Sequence, residues 1–510
     1  MTTLVYLNTL DNPFVFDDHQ TVLENPSLKD ISNFLFVLVF ERFRPAVNIT
    51  YALDYLLWGE NPLGFHITNL VLHIANTLLV FFLMIGLFRD KSKTVVRTSD
   101  ATSEQENMDI PLLVAGVFAL HPMMTEAVGY VSGRAEVLCG VFFFAAFICV
   151  RRGLIFGKKH FWVLGLLFWL LSVASKEVGA MLPFLVLVYD MLLLDRQGTK
   201  RRIFRLYLPL ALVLLVGFIL RIGSYVQIES SMGFAHVWNN FLTQLIVFWQ
   251  YLGLLILPVN QSIVHSIQEV RGFLNIGVVM SSVGIAGMVS FAWWLRERCP
   301  LCTLGIAWFV LLLIPSMLLP LTELMAEHRV YLASGGLVLA VGTGLERSLR
   351  KYSKSFPRII GVGVLLLLAL TSYTRNKVWD SPVSLWEDAA SKSPNVYAPH
   401  YQLGNSLRIS GQCDNAVHAY KKAIQLMPKE MNAWNNLGIC LAQLGRFPEA
   451  REVFLRVVDI APSYVKAHNN LGLLNRQLGK LDEARKYFEK ALHLDPQNRL
   501  ALEQLRQLSP

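Results

Sequence analysis

The sequence predicts an all-α protein in two parts, a multi-span transmembrane helical domain followed by an array of short helical repeats. Two observations lead to this fold class. Apolar residues run for about the thickness of a bilayer in many separate segments, and a pattern with a period of about 34 residues recurs near the end. Hydrophobic residues make up 54% of the 510 residues and charged residues only 16%, which is too apolar for a wholly soluble protein.

Ten apolar segments are predicted to span a membrane. They are residues 66–88, 110–128, 134–150, 161–175, 178–194, 206–221, 274–295, 301–319, 330–346 and 358–374. Basic loops follow the first, third, fifth and ninth segments, and the positive-inside rule places them in the cytoplasm. These loops also explain the net charge of +9, so nucleic acid is not indicated as a partner. A further apolar run at 241–257 would break the alternation, and we expect it to be interfacial or re-entrant.

This assignment leaves residues 1–65 and everything after residue 375 on the opposite side of the membrane, called here the outer face. After about residue 396 the composition becomes that of a soluble protein, and small, aromatic and proline residues recur one period apart. The recurring sets are Gly404, Gly438 and Gly472; Ala416, Ala450 and Ala484; Tyr420, Phe454 and Phe488; and Pro428, Pro462 and Pro496. This is the tetratricopeptide pattern of paired helices. The predicted domains are an outer first loop (1–65), a membrane domain (66–375), a half-repeat connector (376–396) and the repeats (397–510).

The adjacent acids Asp17 and Asp18 lie in the outer first loop, directly after the apolar triplet of residues 14–16. An isolated acidic pair is usually part of a solvated loop. A carboxylate at a membrane surface can also take the proton of a hydroxyl nucleophile when a donor substrate is held beside it. The other polar groups expected on the same face decide between these two interpretations.

Several cations and acids from distant stretches of the chain are predicted to meet on the outer face. They are Arg44, His121, Glu126, Arg134, Glu136, Lys176, Glu177, His328 and Arg329. Each one alone is explained by interfacial pairing with a neighbour or with lipid headgroups. Together they favour a site for an anionic lipid-phosphate donor, because cations would hold the phosphate and an acid would act as the base.

A polar stripe lies within the first predicted span. His66, Asn69, His73 and Asn76 are spaced so that they share one face of a helix. Hydrogen bonding between helices explains such a stripe, and lining of the donor cavity is the alternative. No spacing of these side chains indicates a metal site. The sequence does not decide whether a divalent ion assists in neutralising the phosphate.

The motifs around these residues resemble one known family. They are Phe16-Asp17-Asp18, Phe43-Arg44-Pro45, Gly64-Phe65-His66 with His73, His121-Pro122 to Glu126, Gly133-Arg134-Ala135-Glu136, Ser175-Lys176-Glu177 and Glu327-His328-Arg329. In this order, and with the repeats attached, they resemble the transmembrane and tetratricopeptide-repeat O-mannosyltransferases and their bacterial relatives, a GT-C type group of glycosyltransferases. The resemblance covers essentially the whole chain.

The resemblance implies an inverting transfer of mannose from dolichyl-phosphate mannose to Ser or Thr hydroxyls of proteins. Asp17 or Asp18 would then be the base. The cations that would hold the donor phosphate are Arg134, Lys176, Arg329 and Arg44, supported by Glu126, Glu136, Glu177, His121, His328, His66 and His73. The repeats would capture the acceptor protein. The location would be the endoplasmic reticulum membrane with lumenal repeats in a eukaryote, or the inner membrane with periplasmic repeats in a bacterium.

One departure from the family concerns the start of the chain. The family has a membrane span before the loop with the two aspartates, whereas Met1 stands shortly before Phe14. We therefore expect this first span to be absent. The alternative function is a non-catalytic membrane scaffold whose repeats recruit partner proteins. A transporter is disfavoured, because few charges lie in the middle of the predicted spans.

Overall fold

A computed structural model describes residues 1–41, 43–96, 108–194, 196–212, 214–217, 234–319, 323–349 and 356–508. These residues form helices and connecting turns, with no strand among them, which confirms the predicted all-α class. They divide into two compact units. The first comprises Met1–Ile263 and Ile267–Asp380, and the second comprises Val264–Ser266 and Ser381–Pro510.

The first unit is built from apolar helices around one continuous hydrophobic core. Its α-helices of ten residues or more are Pro45–Trp58, Pro62–Val96, Asp109–Leu120, Arg134–Phe156, Lys159–Ser175, Leu182–Leu193, Phe234–Ile256, Ile276–Leu295, Pro300–Leu318, Tyr331–Leu349 and Phe356–Asn376. Short helices at Thr2–Tyr6, Pro26–Lys29 and Phe34–Phe40 lie in the segment that precedes Pro45–Trp58. Phe14 and Val22 of this segment, together with Tyr51 of the helix Pro45–Trp58, pack against Phe65 and Val131 in a separate small core.

Five helices in the described part of the chain are long and apolar enough to cross a membrane. They are Pro62–Asp90, Val131–Phe156, Ile276–Leu295, Pro300–Leu318 and Arg358–Trp379, which agree with five of the predicted spans. A sixth prediction, 110–128, corresponds to two helices that meet at a 52° bend between Leu120 and Pro122. The rigid proline ring, which lacks an N–H, favours a break at this point.

The remaining predicted spans are not among these candidate spans. The 161–175 segment is the short helix Lys159–Ser175. The 178–194 segment divides into a 3-10 turn, Glu177–Met181, and the helix Leu182–Leu193, so neither part has the length of a span. Residues 331–346 lie in the helix Tyr331–Leu349, which is not among the candidate spans. The prediction at 206–221 extends outside the described residues.

The apolar run at 241–257 lies in the helix Phe234–Ile256, which packs against Ile276–Leu295 and Pro300–Leu318. This helix is not among the candidate spans. Three of its polar side chains, Asn240, Thr243 and Gln244, are buried in the protein, whereas Gln250 is exposed. The Tyr251 hydroxyl donates to the carbonyl oxygen of Ala326 at 3.0 Å. The helix therefore supports the turn that carries His328 and Arg329.

The second unit is a stack of helix pairs. Its helices are Pro382–Lys392, Tyr397–Ile409, Cys413–Leu426, Met431–Gln443, Phe447–Ile460, Val465–Gln477, Leu481–Leu494 and Arg499–Leu508. Within each pair a glycine lets an aromatic ring lie against the helix backbone. A Cβ added at Gly404 would stand 2.6 Å from the Tyr420 ring, and Gly438 and Gly472 meet Phe454 and Phe488 in the same way. This close approach explains why the sequence repeats a glycine and an aromatic residue at these positions.

Candidate functional site

Asp18 is held inside the protein by donors on both of its carboxyl oxygens. Oδ1 accepts the Ser132 backbone N–H at 2.8 Å and the Ser132 hydroxyl at 2.6 Å. Oδ2 accepts the Val15 backbone N–H at 3.1 Å. The residue is 0% exposed, and burial raises the pKa of its carboxyl to about 7 against the hydrogen bonds, which lower it. Asp18 therefore ties the first loop to the turn before Arg134.

Asp17 has the opposite environment, because its side chain is exposed. The preceding residue, Phe16, has a φ of +50°, a left-handed conformation that bulky residues rarely adopt. This turn sends the two neighbouring aspartates in different directions. Partial shielding by the surrounding chain raises the pKa of Asp17, while a hydrogen bond with Tyr130 and the charge of Arg44 lower it. Asp17 is thus the member of the pair that a substrate can reach.

A cavity of about 80 Å³ collects many of the predicted charged residues. Its lining comprises Arg44, Glu136, Lys176, Glu177, Val178, Leu312, Pro315, Ser316, His328 and Arg329. The cations come from three separate stretches of sequence, and one wall is apolar. Arg44 also connects the cavity to the first loop, because its charge acts on Asp17. The structure therefore brings together Arg44, Lys176 and Arg329, as the sequence predicted.

Acidic side chains hold two of the lining groups in place. Lys176 forms an ion pair with Glu136. One carboxyl oxygen of Glu126 accepts a hydrogen bond from His328 Nδ1 at 2.7 Å, and the other accepts one from the His328 backbone N–H at 3.2 Å. Burial, with the charge of Lys176 as a further cause, lowers the pKa of His328 to about 3. The ring is therefore neutral near pH 7 with its proton on Nδ1, which leaves Nε2 as an acceptor.

Arg329 carries an unsatisfied group at this cavity. Its Nη1 is buried and has no hydrogen-bond partner among the described residues. A buried donor without an acceptor is costly, so its presence at a cavity wall points to a ligand that supplies the acceptor. An anionic oxygen would do so best, because a charge-assisted hydrogen bond is stronger than a neutral one.

Arg134 does not line this cavity. Its guanidinium is 0% exposed and forms an ion pair with Asp54 at 2.5 Å. Its Nε donates to Asn69 Oδ1 and its Nη2 to the Phe65 carbonyl oxygen, both at 2.8 Å, and it lies over the Tyr51 ring. This differs from the predicted phosphate-binding role, because partners within the protein already occupy the group. Arg134 joins three helices instead.

The polar stripe of the first span forms hydrogen bonds between helices and does not line the cavity. His66 Nε2 lies 3.0 Å from the Asn12 carbonyl oxygen. His73 contacts the Tyr331 hydroxyl at 2.8 Å and the Ala119 carbonyl oxygen at 3.1 Å. His121 is likewise buried, with Nε2 at 3.0 Å from the Leu255 carbonyl oxygen. Of the two interpretations of the stripe, interhelical bonding is the one that the structure supports.

Two residues of this region were not predicted from the sequence. Ser132 supplies two of the three hydrogen bonds to Asp18, and its only signal was a place directly before the Gly133-Arg134 motif. Asp54 is the partner of Arg134, and it lies in the Pro45–Trp58 helix without any motif around it. In the part of the chain that the structure describes, no group of three or more His, Cys, Asp or Glu side chains is arranged to hold a metal ion.

The geometry defines a class of protein, a helical protein with several candidate membrane spans, a charged cavity and tetratricopeptide repeats. The tetratricopeptide repeat family model matches residues 395–463 and 429–497. This match agrees with the helix pairs of the second unit and confirms the repeats that the sequence predicted.

Similar proteins extend beyond the repeats. Protein O-mannosyl-transferase F38B6.6 of Caenorhabditis elegans is 26% identical over 84% of this chain and 62% of its own length. Protein O-mannosyl-transferase Tmtc3 of Drosophila melanogaster is 23% identical over 85% of this chain and 55% of its own. Protein O-mannosyl-transferase TMTC1 of Homo sapiens is 25% identical over 85% of this chain and 55% of its own. The resemblance seen in the motifs is therefore confirmed over most of the chain, which spans 55 to 62% of the length of these relatives.

Proposed function

We propose that this chain is a membrane glycosyltransferase that moves a mannosyl residue from a polyisoprenyl-phosphate donor to Ser or Thr hydroxyls of proteins. The observation that carries the proposal is the cavity in which Arg44, Lys176 and Arg329 meet, with the exposed Asp17 linked to it through the charge of Arg44. The curated relatives, all named protein O-mannosyl-transferases, support the same reaction.

Asp17 is the proposed base. The acceptor oxygen attacks the anomeric carbon, the bond from that carbon to the phosphate oxygen breaks with its electron pair, and the Asp17 carboxylate takes the hydroxyl proton. Attack opposite the leaving group inverts the configuration at the anomeric carbon. Asp18 is a positioning residue, because both of its oxygens are hydrogen-bonded inside the protein and no substrate reaches them.

The cavity would hold the leaving phosphate. The Nη1 of Arg329, which has no hydrogen-bond partner among the described residues, would donate to an anionic oxygen of the phosphate, and Lys176 adds a charge that Glu136 keeps in place. Negative charge develops on the phosphate as the bond breaks, so cations fixed beforehand stabilise the transition state more than the bound substrate. The apolar wall of Val178, Leu312 and Pro315 suits the first carbons of a lipid chain. The neutral His328 ring would accept a hydrogen bond from a sugar hydroxyl.

The repeats would capture the acceptor protein, as helical repeats with extended binding surfaces do. We place the chain in the endoplasmic reticulum membrane as a multi-pass protein, with the site and the repeats in the lumen. The donor would be dolichyl-phosphate mannose, and no cofactor is proposed beyond this co-substrate.

The test is transfer of radiolabelled mannose by the purified chain in lipid nanodiscs. The reaction contains dolichyl-phosphate mannose and a Ser/Thr-containing acceptor protein, with dolichyl-phosphate glucose and GDP-mannose as matched donors. The proposal expects transfer from the first donor only. Because inversion of a β-linked donor gives an α-linked product, the product should be cleaved by α-mannosidase and resist β-mannosidase. Transfer from GDP-mannose, or none from any donor while the active-site fold is intact, would contradict it.

A further inference from the structure

The second unit contains a cavity of its own, between the helices Phe447–Ile460, Val465–Gln477 and Leu481–Leu494. It is an open cavity of about 400 Å³, lined by Arg451, His468, Glu483, Lys486, Tyr487 and Lys490. Three permanent cations thus surround the space with a single carboxylate among them. The local charge is positive, which favours an anionic ligand.

Two buried nitrogens at this cavity have no hydrogen-bond partner among the described residues, His468 Nδ1 and Arg451 Nε. His468 is 3% exposed, and its other nitrogen, Nε2, lies 2.8 Å from the Pro462 carbonyl oxygen. The carboxylate of Glu483 lies 3.8 Å from Arg451 Nη2, a terminal nitrogen of the guanidinium, and so leaves Nε without a partner. One of these nitrogens belongs to the buried His468 and the other to the partly exposed Arg451, and a ligand would complete the hydrogen bonding of both.

Five of the six lining positions differ between the second and third repeats, and the change from Trp434 to His468 is the one that removes a large ring. Each repeat places a ring nitrogen against the carbonyl oxygen of the proline that ends the repeat before it: His400 with Pro394 at 3.0 Å, Trp434 with Pro428 at 2.9 Å, and His468 with Pro462 at 2.8 Å. In the second repeat the large Trp434 ring fills the space, and the Arg456 guanidinium lies 4.7 Å from its centroid. In the third repeat the smaller imidazole leaves the space open, and Lys490 takes the place of Arg456.

We propose that this cavity binds an acidic side chain, carboxylate or phosphate, of the polypeptide that the repeats hold. The choice of a polypeptide rests on the proposed function, which assigns capture of the acceptor to the repeats. Lys486 and Lys490 are exposed at the mouth and supply the charge. The ligand oxygens take the Arg451 Nε–H, and the His468 ring donates from Nδ1 when it is protonated or accepts from a phosphate hydroxyl when it is neutral. This site gives the repeats a preference for acceptors that carry an anionic residue.

The test measures peptide binding to the full-length chain in nanodiscs by fluorescence anisotropy. Three Ser-containing peptides differ at one position, which holds Glu, phosphoserine or Gln. The Glu and phosphoserine peptides are expected to bind more tightly than the Gln peptide, and the tighter of the two identifies the natural anion. The double variant K486Q/K490Q should weaken their binding at least about fivefold. Lys422→Gln, at the position of Lys490 in the first repeat, is the matched control and should change nothing.

A second variant tests the shape of the cavity. His468→Trp places in the third repeat the ring that the second repeat already carries, so the N–H to the Pro462 carbonyl is kept while the space is filled. We expect the variant to lose the preference for the anionic peptides. Equal binding of all three peptides by the wild type, or an unchanged preference in both K486Q/K490Q and His468→Trp, would overturn the proposal. Peptide binding is measured without the donor, so a failure of mannose transfer is a result separate from the loss of the anionic preference.

Discussion

Ser132 donates two hydrogen bonds to the same oxygen of Asp18, through its backbone N–H and its hydroxyl. This contact joins residues far apart in the chain and separates the roles of the two neighbouring aspartates. One carboxyl is enclosed and holds the first loop in place, and the other remains exposed beside Arg44. The two residues should therefore respond differently to the same substitution.

Asp17→Asn should abolish transfer without unfolding the protein. The amide cannot take the hydroxyl proton, and loss of a general base typically lowers the rate by about 10²- to 10⁴-fold. The measurement is the initial rate of mannose transfer, with the melting temperature recorded in parallel. Asp11→Asn, which changes an exposed carboxylate in the same segment, is the control and should keep full activity. Wild-type rates in Asp17→Asn would exclude Asp17 as the base.

Asp18→Asn should destabilise the fold. An amide has only one acceptor oxygen, so either the Val15 N–H or the Ser132 pair would face an NH₂ group. An unsatisfied buried donor costs about 1 to 3 kcal/mol. Thermal unfolding of the purified full chain would measure the loss of stability in the first unit, with Asp11→Asn again as the control. Ser132→Ala should show a smaller loss, because the backbone N–H of residue 132 still reaches Asp18. An Asp18→Asn protein as stable as the wild type would contradict this role.

Asp18 should also make stability depend on pH. A free aspartate titrates near 3.8, whereas burial raises the pKa of Asp18 in the folded protein to about 7. Between these values the folded state binds the proton more tightly than the unfolded state, so the free energy of unfolding falls as the pH rises through this window. Melting temperatures at pH 5, 6 and 7.5 should therefore fall more steeply in the wild type than in Asp18→Asn. Parallel slopes in the two proteins would show that another group is responsible.

The sequence predicted which charged residues lie near the site better than it predicted their ion-pair partners. The sequence predicted that Lys176 and Arg329 lie on one face of the membrane with the Asp17-Asp18 pair, from the charge topology of the apolar segments. The pairing of Arg134 with Asp54 could not be predicted, since it depends on how the Pro45–Trp58 helix packs against two others. A carboxylate in a helix without a motif gives no sign of such a distant partner.

The membrane segments show the same limit. Hydropathy located the helices Pro62–Asp90 and Pro300–Leu318, where an unbroken apolar run has the length of a bilayer. At 178–194 the composition did not reveal that the segment divides into a 3-10 turn, Glu177–Met181, and the α-helix Leu182–Leu193. The repeats were easier to predict, because each unit repeats the contact of a glycine with an aromatic ring.

Arg134→Gln should act on folding and not on donor binding. The variant leaves Asp54 as a buried carboxylate without its ion-pair partner, and breaking a buried pair in this way costs about 3 to 5 kcal/mol. We expect a lower melting temperature and a lower yield of inserted protein. The double variant Asp54→Asn/Arg134→Gln should lose less than the sum of the two single variants, because no unpaired charge remains. Additive losses would show that the two residues act independently.

Gly472→Ala should destabilise the third repeat. The added methyl group would meet the Phe488 ring at 2.5 Å, which forces the paired helices apart. Overpacking of this kind costs about 1 to 3 kcal/mol. Circular dichroism and limited proteolysis of the full chain would detect the loss. Lys466→Ala, an exposed change in the same helix, is the control and should leave the repeat intact.

Arg329→Gln should weaken use of the donor, because the unpaired guanidinium nitrogen is the group at the cavity that lacks an acceptor. If this nitrogen binds the phosphate, its loss removes a charge-assisted hydrogen bond worth about 1.5 to 3 kcal/mol, which lowers kcat/KM for the donor by about 10- to 150-fold. The acceptor KM should stay the same, since the acceptor does not contact the phosphate site. Arg358→Gln, an exposed arginine paired with Asp109 at 2.7 Å, is the matched control. An unchanged kcat/KM for the donor in Arg329→Gln would remove this residue from the site and with it the strongest argument for a phosphate at the cavity.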